Sequence, residues 1–273
     1  MWYTFVPHEP ILPPQQLLSF RSVACCLGSL VHGMIAWSFL NYTPLWLEAI
    51  FGYSTTHSRA AMLPWIFCGG VSTAWIGDRL IEKDRIQQYL QLGWILVIMG
   101  LILLSFIDRH TNTGVWLLAQ FSSAIGASVL YTAIPVSAQI NVQDSEQVDA
   151  ATLYSFFHSM GQVLGFVHGE TSFHLCLRVN LDHYPLLGTA MRTQSRGLAD
   201  FLRLVDKTSP GQIAMENALA TALAGNLSSI WLLMACLAIV AFLVALIGRP
   251  GLYTEEGNAS QKQKVDHERR KTK

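Results

Sequence analysis

ATLYSFFHSMGQVLGFVHGETSF carries His158 in the middle of a run with no Asp, Glu, Lys or Arg before Glu170. Imidazole is the side chain whose ordinary titration falls near neutral pH, and an ionisable group at membrane depth is a functional candidate by default. His32 sits in a similar apolar setting, VACCLGSLVHGMIAW. The chemistry open to His158 is proton handling or a polar contact to a ligand. A neutral imidazole hydrogen-bonded between helices remains the alternative. Two separated histidines without an acidic partner do not make a metal set, and adjacent Cys25 and Cys26 point to different faces of a helix. No catalytic constellation emerges, so the expectation is a protein that is not an enzyme and needs no cofactor or metal.

A second chemistry-bearing stretch is WIGDRLIEKDR, residues 75–85, which places six charges between two uncharged runs. Asp78 at the end of one helix, with Arg79, Lys83 and Arg85 entering the next, can bridge to neighbouring helix ends. Such pairs hold a gate in one state and break in the other. Asp78, Arg79, Arg85 and His158 are therefore the transport or gating candidates. A solvated charged turn is the plainer reading of the block.

The elements that must position these residues follow from composition. Hydrophobic residues make up 51% of the 273 and charged residues 13%, against roughly a quarter charged in a soluble domain. Uncharged runs cover 23–47, 60–77, 86–107, 111–143, 150–169 and 217–248. A hydrocarbon layer of about 30 Å takes some 20 helical residues, so each run holds one crossing. The expected fold is all-α, a polytopic membrane bundle of six helices. Its spans are placed at about 23–47, 60–77, 87–107, 115–137, 150–169 and 226–247. Residues 1–20 form a lead-in, 170–216 a long outer loop and 249–273 a basic tail. Arg21, the 79–85 loop and the tail share one side, which the positive-inside rule makes cytoplasmic. The lipid bilayer is the first partner and nucleic acid is not expected. Plasma membrane and vacuolar membrane both stay open.

Within the spans, small residues mark close helix contact where hydrophobicity no longer drives association. Gly70 and Ala74 in the second span, and Gly161, Gly165 and Gly169 at fourfold spacing in the fifth, are the packing candidates. Pro44 removes a helix donor and is expected to bend the outer half of the first span. Polar residues scattered through apolar runs give the cavity-lining candidates His32, Asn41, Tyr42, Gln120, Tyr131 and Gln162. The third and sixth spans are almost uniformly apolar and read as peripheral.

GGVSTAWIGDRLIEKDR resembles the inner loop between the second and third helices of a six-helix half in the major facilitator superfamily, whose motif runs G-x-x-x-D-R. Here Ala74 stands where the motif's first glycine would lie. HEPILPPQQLLSFRS, NYTPLWLE and AIPVSAQINVQDSEQVDAATLYSFFHSMGQVLG are similar to successive landmarks of fungal 14-span drug and proton antiporters, over about residues 8–250. His158 stands where that family commonly has arginine, and Glu48 where glutamine is usual. The resemblance implies one half of a major facilitator fold, transport of a small organic molecule and efflux coupled to protons. It also implies a missing N-terminal bundle, or a second copy in its place. The alternative is a truncated non-transporting product or an auxiliary membrane subunit.

Overall fold

The computed structural model describes residues 20–77, 85–108, 111–140, 142, 147–181 and 210–247. Their regular structure is helical throughout: α1 (Phe20–Phe51), α2 (Thr55–Ala60), α3 (Leu63–Gly77), α4 (Ile86–Ser105), α5 (Thr113–Gln139), α6 (Gln147–Leu181) and α7 (Pro210–Ile247). Four helical stretches are long and apolar enough to cross a membrane: Ser22–Glu48, Ile86–Ser105, Thr113–Gln139 and Gly225–Ile247.

Local sequence explains where helices stop. Gly52 adopts φ 65°, the left-handed conformation that glycine takes without steric cost, and its amide closes onto the Glu48 carbonyl at 3.0 Å. Ser54 then caps α2 by accepting from the His57 amide, and Asn112 caps α5 by accepting from the Gly114 amide at 2.8 Å. Pro44 and Pro135 lie inside α1 and α5, which run on through them. The short connection that returns the chain from α1 to α3 contains α2, which begins at Thr55. The connection read as 170–216 is entered by helix from both ends, since α6 continues to Leu181 and α7 begins at Pro210. Glu170 does not end the helix, because residues 170–181 contain neither proline nor glycine and α6 runs on through them. Leu198, Phe201, Leu202 and Val205, which the sequence spaces as on one face of a helix, lie outside the described residues.

Contact registers give the topology. Between α1 and α6, Ser29 meets Tyr154, His32 meets His158, Ser38 meets Gly165 and Tyr42 meets Phe166, at separations of 125, 126, 127 and 124 residues. A nearly constant offset means the two helices run in the same direction. Between α4 and α5 the numbering runs in opposite senses: Gly93 abuts Gly126, Ser122 bonds the Leu96 carbonyl, and Gly100 abuts Ala119. That pair is an antiparallel hairpin. Met62 against Gln120 and Gly69 against Ser128 make α3 parallel to α5. These directions are the alternation expected of a chain that crosses with each long helix in turn.

The core lies between α1, α4, α5 and α7, with Trp46, Trp94, Trp231, Phe39 and Leu101 fully enclosed. Phe39 stacks on Trp65 at 5.0 Å and meets Trp231 at 5.7 Å, tying α1 to α3 and α7. Cys26, Cys68 and Cys236 are free thiols.

Candidate functional site

The site begins with the fit of α1 on α6. A Cβ on Gly33 would run into the His158 carbonyl, and one on Gly161 into the Leu30 carbonyl. One on Gly165 would meet the Met34 carbonyl at 2.6 Å, and one on Gly169 the Tyr42 ring. Backbone therefore touches backbone, which only glycine allows. Three hydroxyls of α1 stitch the contact by donating to carbonyls of α6: Ser29 to Tyr154 at 2.8 Å, Ser38 to Gly165 at 3.3 Å and Tyr42 to Phe166 at 2.9 Å.

This contact brings two imidazoles together. His32 is 2% exposed, and its Nε2 lies 2.9 Å from the Ala127 carbonyl of α5. A carbonyl only accepts, so His32 Nε2 carries the hydrogen and Nδ1 presents a lone pair. His158 Nδ1 faces that lone pair at 3.5 Å, the long limit of a hydrogen bond, and the ring centroids are 5.2 Å apart. His158 Nε2 lies 3.4 Å from Gln162 Nε2. Tyr131 of α5 stands 6.2 Å from His32 and 6.0 Å from His158 between ring centroids, and Tyr154 stacks on His158 at 5.6 Å. Tyr131 is 53% exposed, while His158 and Gln162 are half-buried, so the group reaches from a closed interior to the bundle surface.

Four sequence candidates thus converge: His32, Tyr131, His158 and Gln162. The other candidates lie elsewhere. Tyr42 is enclosed and bonded to α6, so it packs a helix pair rather than facing a cavity. Gln120 is fully buried, its amide 3.9 Å from the Met62 sulfur, because α5 turns that face toward α3. Asn41 is exposed and donates to the Trp37 carbonyl of its own helix at 2.8 Å. Gly70 has open space where a Cβ would stand, and Ala74 is exposed. The close contact of α3 is made instead by Gly69, whose Cβ would meet Ser128 Oγ at 3.0 Å. Arg85 is exposed at the start of α4, and Asp78 and Arg79 lie outside the described residues.

Sequence reasoning passed over Ser29, Gly33 and Tyr154. Tyr154 and Gln162 stand four residues before and after His158, which places all three on one helix face. That spacing was the available signal. Ser29 and Gly33 carried none, because their role exists only opposite α6. A cavity of about 30 Å³ between Cys25, Gly28, Gln87, Trp94 and Ser137 is the size of one water and too small for an organic molecule.

Comparisons with known proteins agree with this architecture. The family model described as Major Facilitator Superfamily matches residues 4–166. MFS transporter L2 of a Phoma species is 26% identical over 242 residues, covering 89% of this chain and 40% of that protein. Efflux pump dotC of Dothistroma septosporum is 22% identical over 246 residues, covering 90% of this chain and 42% of that protein. A bacterial homolog of the human lysosomal transporter Spinster, solved inward-facing and unoccupied, superposes with a TM-score of 0.61 at 13% identity, over 90% of this chain and 53% of its own. The chain spans about two fifths of the length of these curated relatives. On the family match and the six long helices together, this integral, multi-pass membrane protein belongs to the major facilitator superfamily.

Proposed function

We propose that the chain supplies one six-helix half of a transporter for a small organic molecule, exporting it in exchange for protons. A second six-helix bundle, from the N-terminal part of a longer chain or from a second copy, completes the substrate site between the halves. The carrying observation is the convergence of His158, Tyr131 and Gln162 at the surface of α5 and α6, backed by the enclosed His32. Aromatic faces with a few polar groups suit an amphipathic organic molecule, and the small cavity beside Trp94 lacks the volume to hold one. Relatives named as efflux pumps support the direction. Alternation then rocks this half against the other, with Asp78, Arg79 and Arg85 at the cytoplasmic end forming contacts in one state only.

The test is dye flux into inside-out vesicles under an imposed pH gradient, comparing this chain alone with the chain joined to its complementary bundle. Flux with the complementary bundle that collapses when the gradient is removed is expected. Flux indifferent to the gradient rejects proton coupling, and no flux in either form rejects transport. The alternative reading is a non-transporting product or an auxiliary subunit. Absence of any coding sequence for a complementary bundle, with no self-association, would select it.

A further inference from the structure

We infer that the paired imidazoles form a binding site for a single proton, carried by His158 while His32 stays neutral. The hydrogen-bond directions lead there without reference to transport. His32 Nε2 must donate to the Ala127 carbonyl, so its one lone pair is on Nδ1 and points at His158. Two N–H groups cannot face each other at 3.5 Å, so whenever His158 Nδ1 carries hydrogen, His32 Nδ1 does not. The His158 Nδ1–H tautomer leaves Nε2 to accept from the Gln162 amide at 3.4 Å. Only that nitrogen can take an additional proton. Once it does, rotation of the Gln162 amide by half a turn replaces its NH₂ with its carbonyl oxygen, and both N–H groups of the imidazolium find acceptors. A second proton has no place on either ring.

The surroundings fit this role. The other titratable side chains touching the pair are Tyr131 from α5 and Tyr154 from α6. Neither α3 nor residues 217–247 of α7 carry Asp, Glu, Lys, Arg or His, and α4 offers only Tyr89 as a titratable group. On α6 the nearest carboxylates are Asp149 and Glu170, nine and twelve residues away, or about 14 and 18 Å along the helix. A proton at His158 is thus answered by neutral, orientable groups. Its entry side is the half-exposed Gln162 edge, and its closed side is His32. Gly33 and Gly161, pressed on the opposite backbone beside each imidazole, fix the spacing of the pair as long as α1 and α6 stay in contact.

The inference deepens the proton-coupled reading above, so its test does not use flux. Full-length protein labelled with ¹⁵N-histidine, in lipid bilayers, is titrated from pH 8 to pH 4 and followed by solid-state NMR, with His32→Gln and His158→Gln used for assignment. Of the two ring signals assigned by these variants, the one lost in His158→Gln is expected to become an imidazolium, while the one lost in His32→Gln remains an Nε2–H neutral ring. Gln162→Glu places a carboxylate beside His158 Nε2 and is expected to move the appearance of the His158 imidazolium upward by about 1 pH unit or more. Imidazolium at both assigned positions, at neither, or at His32 instead of His158 would overturn the proposal, as would a His158 titration indifferent to Gln162→Glu. If the imidazolium is found at His158 alone of the pair while vesicle flux ignores the pH gradient, the proton site stands and the coupling fails.

Discussion

Tyr42 and Tyr131 are the same residue type in equally apolar helices, and both invite a cavity reading, yet they end in opposite surroundings at 3% and 53% exposure. Tyr42 spends its hydroxyl on the Phe166 carbonyl, an atom at the helix–helix contact. Tyr42→Phe is expected to lower stability by about 0.5–1.5 kcal/mol, measured by thermal unfolding in detergent. An unchanged melting temperature would show that the bond carries nothing. Tyr131→Phe, at the bundle surface, is expected to shift stability by less than about 0.5 kcal/mol while altering dye flux in the assembled transporter. Flux identical to wild type would remove Tyr131 from the site.

At the scale of elements, the α1–α6 pair is held by glycine against backbone, and its tolerance to volume is correspondingly low. Gly161→Ala drives a methyl group into the Leu30 carbonyl and is expected to cost about 1–3 kcal/mol, read as a lowered detergent melting temperature. Gly70→Ala meets open space and is expected to change stability by less than about 0.5 kcal/mol in the same assay. Equal effects at the two positions would contradict the contact geometry. The glycines at fourfold spacing in α6 were legible because such a pattern lines one helix face. Choosing between Gly69 and Gly70 was not, because adjacent residues differ by about 100° around a helix and only the neighbour decides which one matters.

At the scale of the whole molecule, the proposed function makes this bundle one half of an enclosure. α3 exposes Phe67 and Trp75 and α6 exposes Phe156 and Val163, apolar surface suited to lipid or to another bundle. Expressed alone, the chain is expected to give dye flux no higher than empty vesicles, and co-expression with a complementary six-helix bundle is expected to raise it at least several-fold. Full activity from the lone chain as a monomer would mean that one bundle encloses a substrate by itself.

Composition alone determined that this chain crosses a membrane as helices, because hydrocarbon leaves the backbone no other way to satisfy its polar groups and the uncharged runs have the required length. Motif order determined the superfamily resemblance, and His158 stood out because an ionisable side chain in an apolar run demands a reason. Sequence could not decide which polar residues meet. Each helix face looks alike until a neighbour covers it, so Gln120 and Tyr42 were indistinguishable from Tyr131. Only tertiary structure brought His32 to His158 across 126 residues of sequence, through glycines on two helices whose fit neither helix encodes alone.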